Sequence, residues 1–206
     1  LRQWARAATD QGAALWVQLN HPGKQSPKGL NVSNLSPSAI PFREDMAAFF
    51  ETPREATTAE IQDIIQRFGR SAAICKKAGF SGVQIHGAHG YLVSQFLSPH
   101  HNHRTDEWGG SPENRRRFVM AVYAEIRRQK QYLELLVEVS PVAIVVMDAG
   151  QRVTSWNPAA ADLFGWSTEE AIGRVIDDLV LNQDLREEGQ HVTHEALEKG
   201  RADRIT

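Results

Sequence analysis

Residues 82–118, GVQIHGAHGYLVSQFLSPHHNHRTDEWGGSPENRRRF, constrain the fold of this chain more than any other stretch. A short apolar run, Gly82 to Ile85, stops abruptly at His86, and His89 and Tyr91 follow within one turn's length. Two imidazoles and a phenol just past a buried strand are the pattern of a site at the C-terminal mouth of a parallel α/β sheet. There the strand ends supply chemistry and the interior supplies rigidity. His-x-x-His spacing also raises zinc, but the two-His zinc signatures lie on a helix beside a glutamate. Here the spacer is Gly87-Ala88 and no carboxylate is near, so no metal is expected.

The segments before this stretch read as the rest of an α/β unit. Residues 1–12 predict a helix with Trp4, Ala7 and Ala8 on one face and Gly12 as its stop. Residues 13–19, AALWVQL, predict a buried strand that breaks at Asn20-His21-Pro22-Gly23. Gln18 is polar within that apolar run and requires a partner, either a ligand or an ordinary core hydrogen bond. His21 and Lys24 fall in the loop and are assigned no chemistry, and residues 25–55 read as loop. Thr57-x-x-Glu60 is a capping box. It opens a helix whose Ile61, Ile64, Ile65, Phe68, Ala72 and Cys75 form one stripe, ended by Gly79. Cys75 is therefore expected in the core. Ser111 caps a further helix with Pro112 in its first turn. The run Arg115, Arg116 and Arg117 is expected on its solvated face with salt partners.

The runs I-H-G-A-H-G-Y-L, F-L-S-P and N-x-R-T-D-E-W-G-G-S-P-E-N-R-R-R-F, with Q-L-N-H-P-G-K upstream, resemble the old yellow enzyme family. These are FMN-dependent ene-reductases and NADH:flavin oxidoreductases. The resemblance implies an α/β fold, a partial (β/α)8 TIM-barrel fragment covering the region of strands 3 and 4, with FMN at the C-terminal face. It implies that His86 and His89 hydrogen-bond the substrate's electron-withdrawing oxygen and that Tyr91 protonates the α-carbon. Gln18 would hydrogen-bond the pyrimidine side of the flavin, where an amide can donate and accept at once. NAD(P)H is the implied reductant, and a small-molecule activated alkene or quinone the implied partner. The chemistry is reasonable from residue types: hydride addition builds charge on the activating oxygen, which two imidazole donors stabilise. A phenol carries its proton at neutral pH and can give it up in the reaction. Trp108 departs from the family, which usually has Tyr there.

This resemblance is followed as far as Arg127. A whole barrel needs about 250 residues, and the strands that bring the flavin's phosphate-binding amides in the family lie outside the matched region. Retention of FMN is accordingly expected to be poor. The first residues, LRQWARAATDQGAALWVQ, lack the segregated charged and apolar regions of a signal peptide and read as a chain entered part-way.

Beyond Arg127, Val119, Val122, Ile126, Leu133 and Leu136 share a three-four spacing with Gln129 in the seam. One helix is expected from 112 to about 138, with a homo-oligomer through it or through exposed strand edges. Then SPVAIVVMDAGQRVTSWNPAAADLFGWSTEEAIGR resembles the PAS sensor domain. A strand, a turn at Ala149-Gly150 and a second strand lead to Asn157-Pro158, which opens a helix with Leu163 and Phe164 facing the sheet. The chain stops where that family's third strand should begin. His191 and His194 lie where some haem-binding relatives carry an axial ligand, but haem is not expected.

The expected domains are 1–128, an old-yellow-enzyme-like partial barrel, and 129–206, the N-terminal part of a PAS-like domain. A formal charge of −2 gives no reason to expect nucleic acid or a membrane surface. A single cysteine fits a reducing compartment, here the cytoplasm. The functional expectation is an FMN-dependent oxidoreductase fused to a sensor or dimerisation segment. The alternatives are a truncated or artificial chimera without activity, and a PAS signalling module only.

Overall fold

The computed structural model describes residues 1–180 and divides after Gln131 into two units. In the first, helix α1 (Arg2–Thr9) is anchored by the fully buried Ala5. The expected face is thereby corrected: Ala7 faces water, and Trp4 is 61% exposed, meeting Phe80 only ring edge to face. The small Ala5 lets the helix backbone come close and leaves the indole at the rim. Strand β1 (Trp16–Leu19) is shorter than the apolar run and buried on one face only. Val17 and Leu19 join the core, while Trp16 and Gln18 lie on the open face, as strand alternation requires.

The stretch expected to be loop holds short structure of its own. Strands β2 (Leu35–Ser36) and β3 (Arg54–Glu55) pair in parallel, with single 3-10 turns at Gly23–Gln25 and Glu44–Met46. Two-residue strands carry no periodicity, which is why the sequence does not announce them.

Helix α2 (Thr58–Ala78) starts at a complete capping box between Thr57 and Glu60 and stops at Gly79, whose φ of 94° suits glycine. Ile61, Ile64, Ile65, Phe68, Ala72 and Cys75 are buried along it as their spacing predicts. Burial raises the Cys75 thiol pKa, so this is an unreactive core sulfur. The chain then enters β4 (Gly82–Ile85), which pairs in parallel with β1 in the register Trp16↔Gly82 to Leu19↔Ile85. The β1–α2–β4 crossover is the α/β unit that positions the site.

Helix α3 (Leu92–Leu97) buries Leu92, Val93 and Phe96. It leads by a loop to α4 (Pro112–Glu138), where the Ser111 hydroxyl accepts from the Asn114 N–H. Phe118 of α4 stacks on Phe96, with centroids 4.3 Å apart. One continuous helix is present, but Val122 is buried and Val119 and Ile126 pack on the first unit's own core. That half of the seam is therefore used within the chain, while Leu136 is 46% exposed. Of the arginine run, Arg116 and Arg117 are exposed as expected and Arg115 is half-buried. Arg116 faces Glu113, but Arg115 donates to the Leu97 and Gly110 carbonyls and Arg117 to that of Glu107. The Gly110 and Glu107 carbonyls lie just before the helix start, within reach of a guanidinium fork, and that of Leu97 ends α3.

In the second unit, β5 (Val145–Met147) and β6 (Val153–Trp156) form an antiparallel pair. Its turn is organised by Asp148, whose carboxylate accepts from Gly150 and Arg152. Helix α5 (Pro158–Phe164) is capped by Asn157, and α6 (Thr168–Ala171) by a box of Ser167 and Glu170; α7 (Asp177–Val180) follows. Val153, Trp156, Ala160, Ala171, Ile176 and Leu179 make the core. Phe164 packs on Trp156, but Leu163 is 67% exposed, against expectation. Adjacent helical residues diverge by about 100°, and Phe164 takes the position above Ala160. Asn157 is the polar centre of this unit. Its oxygen accepts from Ile144 and Ala160, and its amide donates to the Val137 and Val142 carbonyls. His191, His194 and the expected start of a third strand lie outside the described residues. Among those described, no helix is long and apolar enough to cross a membrane.

The α2 cap yields a pH-linked prediction. The Arg54 guanidinium, with the Thr57 backbone N–H, holds the Glu60 carboxyl down to about 2. A carboxyl lowered in the folded state contributes stability that is complete above its ordinary pKa and is lost as pH falls toward 2. Thr57→Ala should cost about 1 kcal/mol, and Glu60→Gln should flatten the acid side of the stability profile between about pH 4.5 and 2. Urea unfolding of the full chain at several pH values measures both.

Candidate active site

The β1–β4 ladder continues one step past the strand, because the His86 N–H donates to the Leu19 carbonyl at 2.9 Å. His86 is thereby fixed at the C-terminal end of the sheet and is 8% exposed. Residues 87–90 then turn sharply, with His89 at φ 57° and Gly90 at φ 72°. For a histidine the left-handed region is strained, a cost of order 1 kcal/mol or more that surrounding contacts must offset. The turn brings three rings together. His86 and His89 have centroids 5.1 Å apart, and His86 and Tyr91 5.0 Å, both edge to face. The structure thus clusters the three residues singled out from the sequence.

Gln18 lies on the open face of β1, and its Nε2 donates to Oε1 of Gln84, its register partner on β4, at 2.8 Å. The expectation that Gln18 needs a partner is met by a residue that sequence reasoning did not single out. One Gln18 N–H and its carbonyl oxygen remain directed away from that bond. Trp16, also on this face, lies flat over Gly82, where a Cβ would come within 2.8 Å of the indole.

What holds the ring cluster in place is a second missed residue, Gln95 of α3, which is completely buried. Its Nε2 donates to the Gly90 carbonyl at 2.7 Å and to that of Pro22 at 3.3 Å. Its Oε1 accepts from the Lys24 N–H and the Ser36 hydroxyl. The only signal was a glutamine among apolar neighbours in LVSQFL, the same reasoning that flagged Gln18. Gly23, at φ 58°, completes the fit, since a side chain there would strike the Gln95 amide. Further out, Arg104 ties the following loop down through the Pro37 and Ala56 carbonyls and ion pairs with Asp106 and Glu55. Trp108 is buried, with its backbone N–H on the Asp106 carboxylate and its carbonyl on Asn102.

The two loop residues assigned no chemistry both make contacts within the fold. His21 accepts from the Gly23 N–H at Nδ1, and its carbonyl accepts from Leu92. Burial, then the nearby Arg67 charge, lowers its pKa. Lys24 is buried, with Nζ donating to the Ile40 carbonyl, standing 3.3 Å from His101 Nδ1 and lying over the Phe42 ring. Burial lowers its pKa too. Among the described residues, no group of three or more His, Cys, Asp or Glu is arranged to hold a metal.

A neutral His21 carries a testable consequence. Its folded pKa lies below the ordinary value near 6.5, so its contribution is complete above that pH and is lost as pH falls and the unfolded chain binds the proton first. Stability should fall by up to about 1.4 kcal/mol per pH unit on this account. His21→Asn, which keeps an acceptor for Gly23, should remove that slope in thermal unfolding between pH 7 and 5.

Comparison with known proteins identifies the family of the first unit. The sequence model described as the NADH:flavin oxidoreductase / NADH oxidase family matches residues 1–162, well past Arg127. The PAS fold matches residues 131–205 and overlaps it. The chain is 45% identical over 127 residues to an NADPH dehydrogenase of Geobacillus sp. (strain WCH70), covering 62% of this chain and 36% of that protein. It is 44% identical over 119 residues to the NADPH dehydrogenase of Bacillus subtilis (strain 168), covering 58% and 33%. The matched segment thus spans about a third of these relatives. Among solved structures, morphinone reductase is 30% identical with a TM-score of 0.56, over 62% of this chain and 38% of that one. A morphinone reductase mutant in complex with tetrahydroNAD aligns equally well at 32% identity, over 62% and 39%. With residues 1–162 of 206 matched, the chain belongs to the NADH:flavin oxidoreductase / NADH oxidase family.

Proposed function

We propose that the first unit carries the substrate-facing part of an FMN-dependent oxidoreductase site that reduces activated alkenes or quinones with NAD(P)H. The observation that carries this reading is the clustering of His86, His89 and Tyr91 at one strand end, with ring centroids near 5 Å. On this reading β1 and β4 correspond to strands 3 and 4 of a (β/α)8 barrel, and the ring cluster lies at its C-terminal mouth.

The residues fit the flavin. Gln18 keeps an acceptor oxygen and an amide hydrogen beyond its bond to Gln84, the pair needed to meet a pyrimidine-like edge. Bound FMN would supply hydride to the alkene's β-carbon and be re-reduced by NAD(P)H. His86 and His89 donate to the substrate's activating oxygen and stabilise the charge that develops there. Tyr91 delivers its hydroxyl proton to the α-carbon and recovers one from solvent. The buried position of His86 keeps that ring oriented, so little reorganisation accompanies its part in the reaction.

The domain boundary is placed at 128/129, with the C-terminal part acting as a PAS-type sensor or dimerisation segment. The PAS fold match over 131–205 supports that assignment. A cytoplasmic setting is proposed from the lone, buried Cys75.

The test supplies the full chain with saturating FMN, NADH or NADPH, and cyclohexenone under anaerobic conditions. Tyr91→Phe should retain flavin binding and lose about 10²- to 10⁴-fold in turnover. Turnover unchanged in Tyr91→Phe would remove the phenol from the mechanism, and absence of turnover in the unaltered chain under these conditions would remove the reading.

A further inference from the structure

His89 is held in a left-handed backbone conformation that its side chain disfavours, so something outside the turn must hold it there. Two buried or half-buried amides grip consecutive carbonyls of that turn. Gln25 Nε2 donates to the His89 carbonyl at 2.7 Å, and Gln95 Nε2 donates to the next carbonyl, that of Gly90, also at 2.7 Å. The two glutamines are themselves joined, because Gln95 Oε1 accepts from the Lys24 N–H in the same 3-10 turn that presents Gln25. Space is tight as well. A Cβ on Gly90 would come within 2.8 Å of Gln25 Nε2, so the amide is seated against the turn rather than passing over it.

We propose that Gln25 is a positioning residue for His89: by donating to its main-chain carbonyl, it fixes the left-handed backbone that sets the imidazole against His86. The division of labour follows from burial. Gln95 is completely enclosed and four-fold bonded, so it anchors the turn as a whole to the fold. Gln25 is only half-buried, and its amide bond goes to the one residue of the turn that is both strained and in the ring cluster. Glutamine suits this task because its side chain carries an N–H donor at the reach the His89 carbonyl requires. The inference deepens the oxidoreductase reading by adding a residue that acts through His89, and it rests on that reading only for its kinetic consequence.

The experiment compares Gln25→Met, which keeps length and removes the donor, with Gln25→Lys, which restores a donor of similar reach. Imidazole proton and carbon signals of His89, assigned from His89→Gln, are recorded on the flavin-free full chain together with ring-to-ring cross-peaks to His86. Loss of the His86–His89 cross-peak in Gln25→Met, with its return in Gln25→Lys and an unfolding midpoint near that of the unaltered chain, is the expected result. Unchanged His89 signals in Gln25→Met overturn the proposal, and so does equal loss in both variants. Should Gln25→Met fail to fold, Gln25→Glu, which exchanges the donor for an acceptor, is read by the same criteria. In the flavin-loaded turnover assay, Gln25→Met should lower kcat/KM by up to about a hundredfold, with Gln25→Lys recovering most of it. The spectroscopic arm needs no flavin, so its failure leaves the oxidoreductase reading standing. A chain without turnover leaves the ring geometry still measurable.

Discussion

The first unit depends on the buried carboxamide of Gln95. An amide sealed from water without partners would cost several kcal/mol, so its hydrogen bonds must all be found inside the fold. They are found on four separate segments: the loop after β1, the 3-10 turn, strand β2 and the turn before α3. Each bond removes freedom from a stretch with little regular structure of its own. The stretch that sequence periodicity leaves featureless is in this way tied to the same point as the strand-end turn carrying the rings.

What the sequence made legible were the features governed by local rules. The capping box at Thr57 and Glu60, the stripe from Ile61 to Cys75 and the stop at Gly79 depend on neighbours within a few residues. The ring cluster was legible for a different reason, the unusual density of His86, His89 and Tyr91 directly after an apolar run. The misses share a physical cause. Trp16 and Leu163 are large apolar side chains on open faces, and residue type alone does not say which face of a short element meets the core. Gln84 and Gln95 matter through partners dozens of positions away, and no local pattern encodes those pairings. Arg115 and Arg117 bind main-chain carbonyls, a role identical in sequence to a solvated charge.

The second unit solves the same problem with an asparagine. Asn157 ends β6, caps α5 and gathers carbonyls from the end of α4 and the segment after it. Capping alone would be met by Ser or Asp, but neither carries both the oxygen for two N–H groups and the amide hydrogens for those carbonyls. The Asn-Pro pair, read as a helix start, is therefore also the knot of its unit.

The indole of Trp16 lies open over Gly82, 62% exposed, on the sheet face that carries Gln18 and Gln84. This gives the protein an optical reporter of its own. An indole so wet emits at long wavelength, whereas the enclosed rings of Trp108 and Trp156 emit at shorter wavelength. Anything that settles on this face dries Trp16 and moves its emission to shorter wavelength, over the background of Trp4, Trp108, Trp156 and Trp166, which lie off this face. Occupancy of the sheet is thus written into the colour of the intrinsic fluorescence, without any label.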